Sequence, residues 1–208
     1  MNKPVIIIGN GGHATVLVEI LIAQEKEIIG YTDLKEEQSV VNLKYLGTDD
    51  VITEGYDAEK VELVLGLGTV SASVTRKNLF EYFESRGFKF ASIIHPTAIL
   101  SPSTKIGQGV QILSGVILQA NVSICDNSII NTGSIIDHDC HIGKHVHIAP
   151  GATLSGGVQI GDNCHIGVGT SIIQSVSIGN ETTIGAGSVV VKDIGIGKTA
   201  YGVPAKEV

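Results

Sequence analysis

Residues 129–160 read IINTGSIIDHDCHIGKHVHIAPGATLSGGVQI, and in them Ile130, Ile136, Ile142, Ile148, Leu154 and Ile160 stand six residues apart. The spacing runs on without interruption, upstream through Ile124, Leu118, Ile112, Ile106 and Leu100 to Ile94, downstream through Ile166, Ile172, Ile178 and Ile184 to Val190. Four positions after these residues the side chain is usually small, as at Ser134, Cys140, Val146, Ala152, Val158 and Cys164, and Gly107, Gly143, Gly161, Gly179 and Gly185 each follow a repeat isoleucine directly. A period of six fits neither a helix at 3.6 nor strand alternation at 2, so each hexad predicts one short strand and a turn. Hexapeptide repetition is the signature of a parallel β-helix. Three hexads close one triangular coil, and coils stack at the strand spacing of ~4.8 Å. Residues 18 apart then share a face one coil apart, which stacks His138 on Gly156 and His147 on His165 and implies a cluster.

The repeat also explains what is missing from it. All four phenylalanines (Phe80, Phe83, Phe88, Phe90) precede residue 91, and no Phe, Tyr or Trp lies between Ser92 and Ala200. A column a few side chains wide selects Ile, Val, Ala, Ser and Cys and has no room for large rings. Cys140 and Cys164 fall on the small inward position and read as core filler. With Cys125 they form an odd set without CxxC spacing, which indicates neither a disulfide framework nor a zinc ribbon. At 208 residues and 43% hydrophobic composition the chain has ample core material and is not globally disordered. A net charge of -7 argues against nucleic acid and anionic lipid as partners. No apolar run approaches the ~18 residues of a membrane span, and the opening MNKPVIIIGNGG carries glycines where a signal peptide would stay apolar. The expectation is a cytoplasmic protein without membrane insertion.

Before the repeat, PVIIIGNGGHA reads as a buried strand and a glycine-rich turn leading into a helix from Thr15 to Ala23. Gly9, Gly11 and Ala14 fit G-x-G-x-x-A, where a helix N-terminus faces a phosphate or similar group. A second strand, EIIGYT, ends at Asp33, where an acid commonly meets ribose or base. A third, VELVLGLG, precedes a helix near Ser73 to Ser85, and Phe90 to Ile94 leads into the coils. A domain of about 90 residues lacks the second half of a dinucleotide fold, so NAD is not expected. A nucleotide-sugar pyrophosphate suits the turn better; a purely structural βα turn is the plain alternative.

Taken together, GNGGHA at 9–14, IIHPTA at 93–98, NTGSIIDHDCHIGKHVHIAPGATLSGGVQIG at 131–161, GAGSVVVKDI at 185–194 and GVPAK at 202–206 resemble one family over essentially the whole chain. It is the family of bacterial sugar acyltransferases that includes sialic acid O-acetyltransferases and the N-acetyltransferases of UDP-4-amino sugars such as the bacillosamine precursor, within the hexapeptide-repeat superfamily. The resemblance implies an α/β Rossmann-like domain at 1–92 that binds a nucleotide sugar, an all-β left-handed parallel β-helix acetyltransferase domain at 93–193, and a C-terminal tail at 194–208 that contributes to the CoA site. It also implies a homotrimer with each acetyl-CoA site between adjacent columns.

Carried over residue by residue, the resemblance makes His138 the general base and Asp139 the carboxylate that orients it, with Asp137 the other candidate orienter. The chemistry agrees. Amide formation needs a neutral amine to attack the thioester, and an imidazole takes its proton at cytoplasmic pH while a carboxylate fixes the tautomer. His147 matches the family histidine near the pantetheine and thioester, and the Gly156 N–H would donate to the thioester carbonyl as charge develops there. Gly185, Ala186, Gly187, Pro204 and Lys206 resemble the lining of the CoA nucleotide site. Gly9, Gly11, Gly12 and His13 resemble the turn that receives the nucleotide sugar, and Asp33 an acid on its base or ribose. The chain departs from some amino-sugar enzymes of the family. It has Thr32 and Asp33 where they carry two acids, and Gly68, Thr69 and a more distant Arg76 where they carry G-N-N-x-x-R.

The implied activity is acetyl-CoA-dependent N-acetylation of a nucleotide-linked 4-amino-4,6-dideoxy sugar in surface glycan biosynthesis. O-acetylation of a sugar or sialic acid is the alternative, and a non-catalytic β-helix binding module a more distant one. A γ-type carbonic anhydrase shares the column, and five histidines lie between 138 and 165. Zinc needs three converging ligands, and the spacing here does not supply that family's arrangement, so no metal is expected. A nucleotidylyltransferase fused to hexads is disfavoured by the short N-terminal domain without a G-x-G-T-R loop.

Overall fold

A computed structural model describes residues 3–36, 42–72 and 74–208. The chain falls into two compact units, one made of residues up to Gly68 with Asn78–Ile93, the other of Thr69–Lys77 with Ile94–Val208.

In the first unit β1 (Val5–Ile8), β2 (Ile28–Thr32), β3 (Tyr45–Gly47), β4 (Glu62–Leu65) and β5 (Lys89–Phe90) form one parallel sheet in the order β3-β2-β1-β4-β5. The β1 strand is apolar and fully buried because it lies at the sheet centre, covered on both faces. Its helices are α1 (Gly12–Ala23), α2 (Asp50–Gly55) and the part of α3 (Val74–Glu84) from Asn78 on. Phe80 stacks on Phe90 with ring centroids 4.4 Å apart, and Phe83 meets Phe88 edge-on, in a core shared with Ile6, Ile8, Leu63 and Leu65.

Three details differ from the sequence reading. The first helix starts at Gly12 rather than Thr15, because Gly11 takes the extended N-cap and places Gly12 and His13 in the first turn. The third strand stops at Leu65, where the run of glycines leaves the sheet. The helix read from Ser73 to Ser85 runs from Val74 to Glu84, Ser73 lying outside the described residues. The short β3 and α2 were not anticipated. Because the strand order reverses at β1, the carboxyl ends of β1 and β4 open the crevice where sheets of this kind take ligands.

In the second unit every repeat residue from Ile94 to Val190 is the second residue of a two-residue strand. The strands stack into three parallel walls, neighbours on a wall being 18 residues apart. Wall 1 holds Gln111–Ile112, Ile129–Ile130, His147–Ile148, His165–Ile166 and Thr183–Ile184. Wall 2 holds Ile99–Leu100, Ile117–Leu118, Ile135–Ile136, Thr153–Leu154, Ser171–Ile172 and Val189–Val190. Wall 3 holds Lys105–Ile106, Ser123–Ile124, His141–Ile142, Gln159–Ile160 and Ser177–Ile178. Wall 1 continues into a terminal hairpin of Thr199–Gly202 and Ala205–Glu207.

The interior is the predicted column of aliphatic side chains. Its small inward residues carry a further role, since Ser128, Ser134, Cys140 and Cys164 donate to the carbonyls of Gly143, Ala149, Ser155 and Gly179, each 15 residues on. Burial pushes the Cys164 thiol up to about 11, which keeps it a donor. The Ile-Gly motif has a similar local cause. Asp162 Oδ1 accepts the N–H of Lys144 at 2.7 Å across the coils, and a Cβ on Gly143 would sit 2.5 Å from that oxygen.

Candidate active site

The turn Asp137–His138–Asp139 joins wall 2 to wall 3. Asp137 Oδ1 accepts the main-chain N–H of His138 at 2.8 Å and so closes the turn. Asp139 takes a left-handed conformation (φ +58°), as do Asn121, Gly157 and Ser175 at the same corner of neighbouring coils. Asn, Asp and Gly tolerate that region best. This turn geometry brings Asp139 Oδ2 within 2.8 Å of His138 Nδ1, while Asn121 Nδ2 donates to Oδ1 at 3.0 Å. Asp139, and not Asp137, is therefore the carboxylate on the imidazole.

With Nδ1–H donating to Asp139, Nε2 carries the lone pair. The His138 ring lies over Gly156, where a Cβ would come within 2.6 Å of its Cε1 and Nε2. Gly157 N donates to His138 O at 2.8 Å and locks the two coils in register. Among the described residues the Gly156 N–H has no protein acceptor. The side chains of His138 and Asp139 are 59% and 58% exposed. The hydrogen bond to Asp139, then the charge of Asp137, raise the imidazole pKa above its ordinary 6.5. His138 and Asn121 in turn hold the Asp139 carboxyl below its usual range. The corner thus offers an accessible, oriented base beside a free backbone donor.

His147 lies elsewhere. In a three-walled column wall 1 lies on the side opposite the corner that bears His138, so one chain does not bring these two histidines together. The cluster expected from stacking resolves into two separate pairs. Asn131 Oδ1 accepts the N–H of Thr132 at 2.7 Å, which turns its Nδ2 toward His147 Nε2 at 3.0 Å. The Nδ1–H of His147 then donates to Thr69 O at 2.9 Å, with Thr69 Oγ1 3.0 Å away. His147 lines a cavity of about 390 Å³ with Thr69, Val70, His165, Thr183 and Gly185. Ala186 also lines it; Pro204 and Lys206 are exposed in or beside the terminal hairpin, and Gly187 takes a left-handed turn position. A groove of about 480 Å³ on wall 3, lined by His141, Gln159, Ser177 and Asp193 among others, holds none of the predicted residues.

In the first unit Gly9 adopts φ +90°, which favours glycine, and Gly11, Gly12 and His13 open α1. The predicted acid reaches this turn from β2, since Asp33 Oδ2 accepts the Asn10 N–H at 2.9 Å and Oδ1 that of Leu34 at 2.7 Å. A Cβ on Gly66 would sit 2.7 Å from Ala14 Cβ, so the end of β4 approaches α1 closely.

Sequence reasoning missed Asn121 and Asn131, and named Thr69 as a departure from a family pattern without seeing it as the partner of His147. The stacking rule was signal enough for Asn121, which lies 18 residues before Asp139. Among the described residues no group of three or more His, Cys, Asp or Glu is placed to hold a metal, and no helix is long and apolar enough to cross a membrane.

Two family models match the chain: the PglD N-terminal domain over residues 4–83, and the bacterial transferase hexapeptide repeats over residues 103–138, 121–156 and 157–192. The acetyltransferase domain of PglB from Neisseria gonorrhoeae FA1090 is 35% identical with a TM-score of 0.93, each chain being covered in full. PerB from Caulobacter crescentus, solved with CoA and GDP-perosamine, is 36% identical with a TM-score of 0.89, covering 100% of this chain and 98% of that one. GDP-perosamine N-acetyltransferase of Escherichia coli O157:H7 is 30% identical over 157 residues, 72% of this chain and 69% of the relative. A shorter match, 43% over 61 residues, joins the chain to the acyl-[acyl-carrier-protein]–UDP-N-acetylglucosamine O-acyltransferase of Chlamydia pneumoniae, of whose length it spans 22%.

Proposed function

The chain belongs to the hexapeptide-repeat acetyltransferase family that includes GDP-perosamine N-acetyltransferase, and from that membership we propose that it transfers acetyl from acetyl-CoA to the amino group of a nucleotide-linked 4-amino-4,6-dideoxy sugar. One observation carries the mechanism: the exposed His138 ring, held on Nδ1 by Asp139 and laid over Gly156. His138 Nε2 takes a proton from the amine as its nitrogen attacks the thioester carbon. The Gly156 N–H receives the developing oxyanion. Collapse breaks the carbon–sulfur bond, and the proton passes from Nε2 to the departing thiolate.

The N-terminal turn of Gly9, Gly11, Gly12 and His13, with Asp33 fastened to it, is the place for the acceptor's nucleotide. Gly185, Ala186, Gly187, Pro204 and Lys206 line the CoA side, with His147 shaping the wall there. Since wall 1 and the His138 corner face apart in one column, a complete site needs two columns, in keeping with a homotrimer. Ile99, Ile117 and Ile135, stacked in register on the outside of wall 2, suit such an interface. The reaction is a cytoplasmic step of surface glycan biosynthesis.

The test is release of coenzyme A thiol from acetyl-CoA with UDP-4-amino and GDP-4-amino sugars, CMP-sialic acid and free sialic acid offered in parallel. Turnover of a nucleotide-linked amino sugar is expected. Turnover of a sialic acid alone, or of none, overturns this reading.

A further inference from the structure

Wall 1 carries a histidine that the mechanism leaves unused. His165 pairs in register with His147 and meets its ring edge to face, centroids 5.1 Å apart. It is 8% exposed and lines the 390 Å³ cavity. Whereas both ring nitrogens of His147 are bonded, His165 Nδ1 is buried with no hydrogen-bond partner, and no described residue bonds the ring. Burial lowers its pKa, which keeps the imidazole neutral near pH 7. A buried lone pair without a partner costs less than a buried N–H without one, so the single ring proton belongs on Nε2. The remaining lining includes Val70, Ala149, Val168 and Ile184, with the hydroxyls of Thr69 and Thr183, and no Lys, Arg, Asp or Glu. Such a lining suits neither phosphate nor a cation. It suits a neutral group with apolar flanks and an oxygen to be bonded.

We propose that this cavity receives an uncharged, oxygen-bearing part of a substrate, and that His165 donates a hydrogen bond to that oxygen from Nε2. The inference rests on the acetyl-transfer reading, which supplies two sources of such a group. One is the amide-bearing pantetheine arm of acetyl-CoA, the other the hydroxylated ring of the acceptor. His165 moves no proton; it selects and holds the ligand.

The test compares His165→Gln, which keeps an N–H donor at the end of the side chain, with His165→Leu, which keeps bulk and loses the donor. For the acceptor that the wild type turns over, His165→Leu is expected to raise one KM about tenfold, the loss of one buried hydrogen bond, and His165→Gln to restore most of it. A rise for acetyl-CoA assigns the pantetheine arm; a rise for the acceptor assigns the sugar. Unchanged KM values in both variants, or equal losses in both, overturn the proposal, the second by marking a packing role. If His165→Leu does not fold, the ring ¹⁵N signals of the wild type are recorded with coenzyme A and, separately, with GDP-perosamine. A shift of the His165 signal with either supports the proposal, and no shift with a ligand shown by calorimetry to bind overturns it. A protein that acetylates none of the acceptors yet shifts His165 on binding coenzyme A loses the functional reading and keeps this one. A protein that binds neither ligand loses both.

Discussion

His138 on Gly156 and His147 on His165 are the same relation, residues 18 apart on successive coils, with opposite outcomes. At the corner the next coil offers glycine, so the imidazole keeps solvent on one side, one bonded nitrogen and one lone pair. On the wall the next coil offers a second imidazole; His147 Nδ1–H donates to Thr69 O, while Ala72 N–H donates to Thr183 Oγ1 and Arg76 Nε–H to Asn127 O. His147 and His165 are 7% and 8% exposed. The column therefore separates reactivity from cohesion. The corner, where the turn leaves side chains exposed, carries the imidazole proposed as the base, and the wall carries buried rings that shape a cavity.

Removing the corner imidazole breaks this contrast most directly. His138→Ala is expected to lower kcat about 10²–10⁴-fold, the usual contribution of a positioned general base. Because the side chain is 59% exposed and takes no part in the core, the melting temperature stays at the wild-type value. Steady-state kinetics beside a thermal melt check both halves. Full turnover, or a melt that collapses with activity, would erase the distinction between corner and wall.

Glycine substitutions sharpen it. A Cβ at Gly156 meets the far end of His138 first, 2.6 Å from Cε1 and Nε2, so Gly156→Ala pushes the ring aside. Its expected cost is roughly 10- to 100-fold in kcat, from misplacement of a reacting group, with little change in melting. At Gly167, on the turn that leaves wall 1, a Cβ would sit 2.6 Å from Ala186 N and 2.7 Å from Ile184 O. Backbone cannot swing away, so Gly167→Ala is expected to cost about 1–3 kcal/mol of stability, read from chemical denaturation.

Asp139 raises the pKa of the His138 imidazole as well as fixing its ring. With His138 as the proposed base, the neutral imidazole is the active form, and kcat is expected to rise with pH through the His138 pKa, which the hydrogen bond to Asp139 raises above its ordinary 6.5. Asp139→Asn removes the largest raising influence. The inflection is expected to move to lower pH, and the plateau to fall about tenfold as the oriented hydrogen bond weakens. An inflection that stays in place or moves upward would show that another group titrates.

Much of this was legible from phase alone. Ile94 to Val190 mark every coil, and 18-residue stacking alone puts Gly156 against His138, as the structure has it. The split between the two histidines was written in the same period. His147 immediately precedes a repeat isoleucine and so sits in a strand, whereas His138 follows one by two and so sits in a turn. Two things could not be read. Thr69 reaches His147 across 78 residues of sequence, a contact no local period encodes. The strand β3 is three half-buried residues, too short for alternation to show. The choice between Asp137 and Asp139 depended on a left-handed φ at Asp139, which the turn requires and spacing does not display.

That choice yields the smallest effect and the most discriminating one. Asp137 touches the main chain of His138, and its charge is only the second cause of the raised imidazole pKa. Asp137→Asn keeps an oxygen at the Oδ1 position to accept the His138 N–H, so the turn stays closed and only the charge is lost. The inflection is expected to move down by less than in Asp139→Asn, with kcat on the plateau within about twofold of wild type, as for an exposed charge screened by water. If Asp137→Asn instead gave the larger shift and the larger loss of plateau rate, Asp137 would be the orienting carboxylate. The ring would then have to swing away from Asp139 and off Gly156 during turnover, and the backbone donor beneath it would lose its part in the reaction.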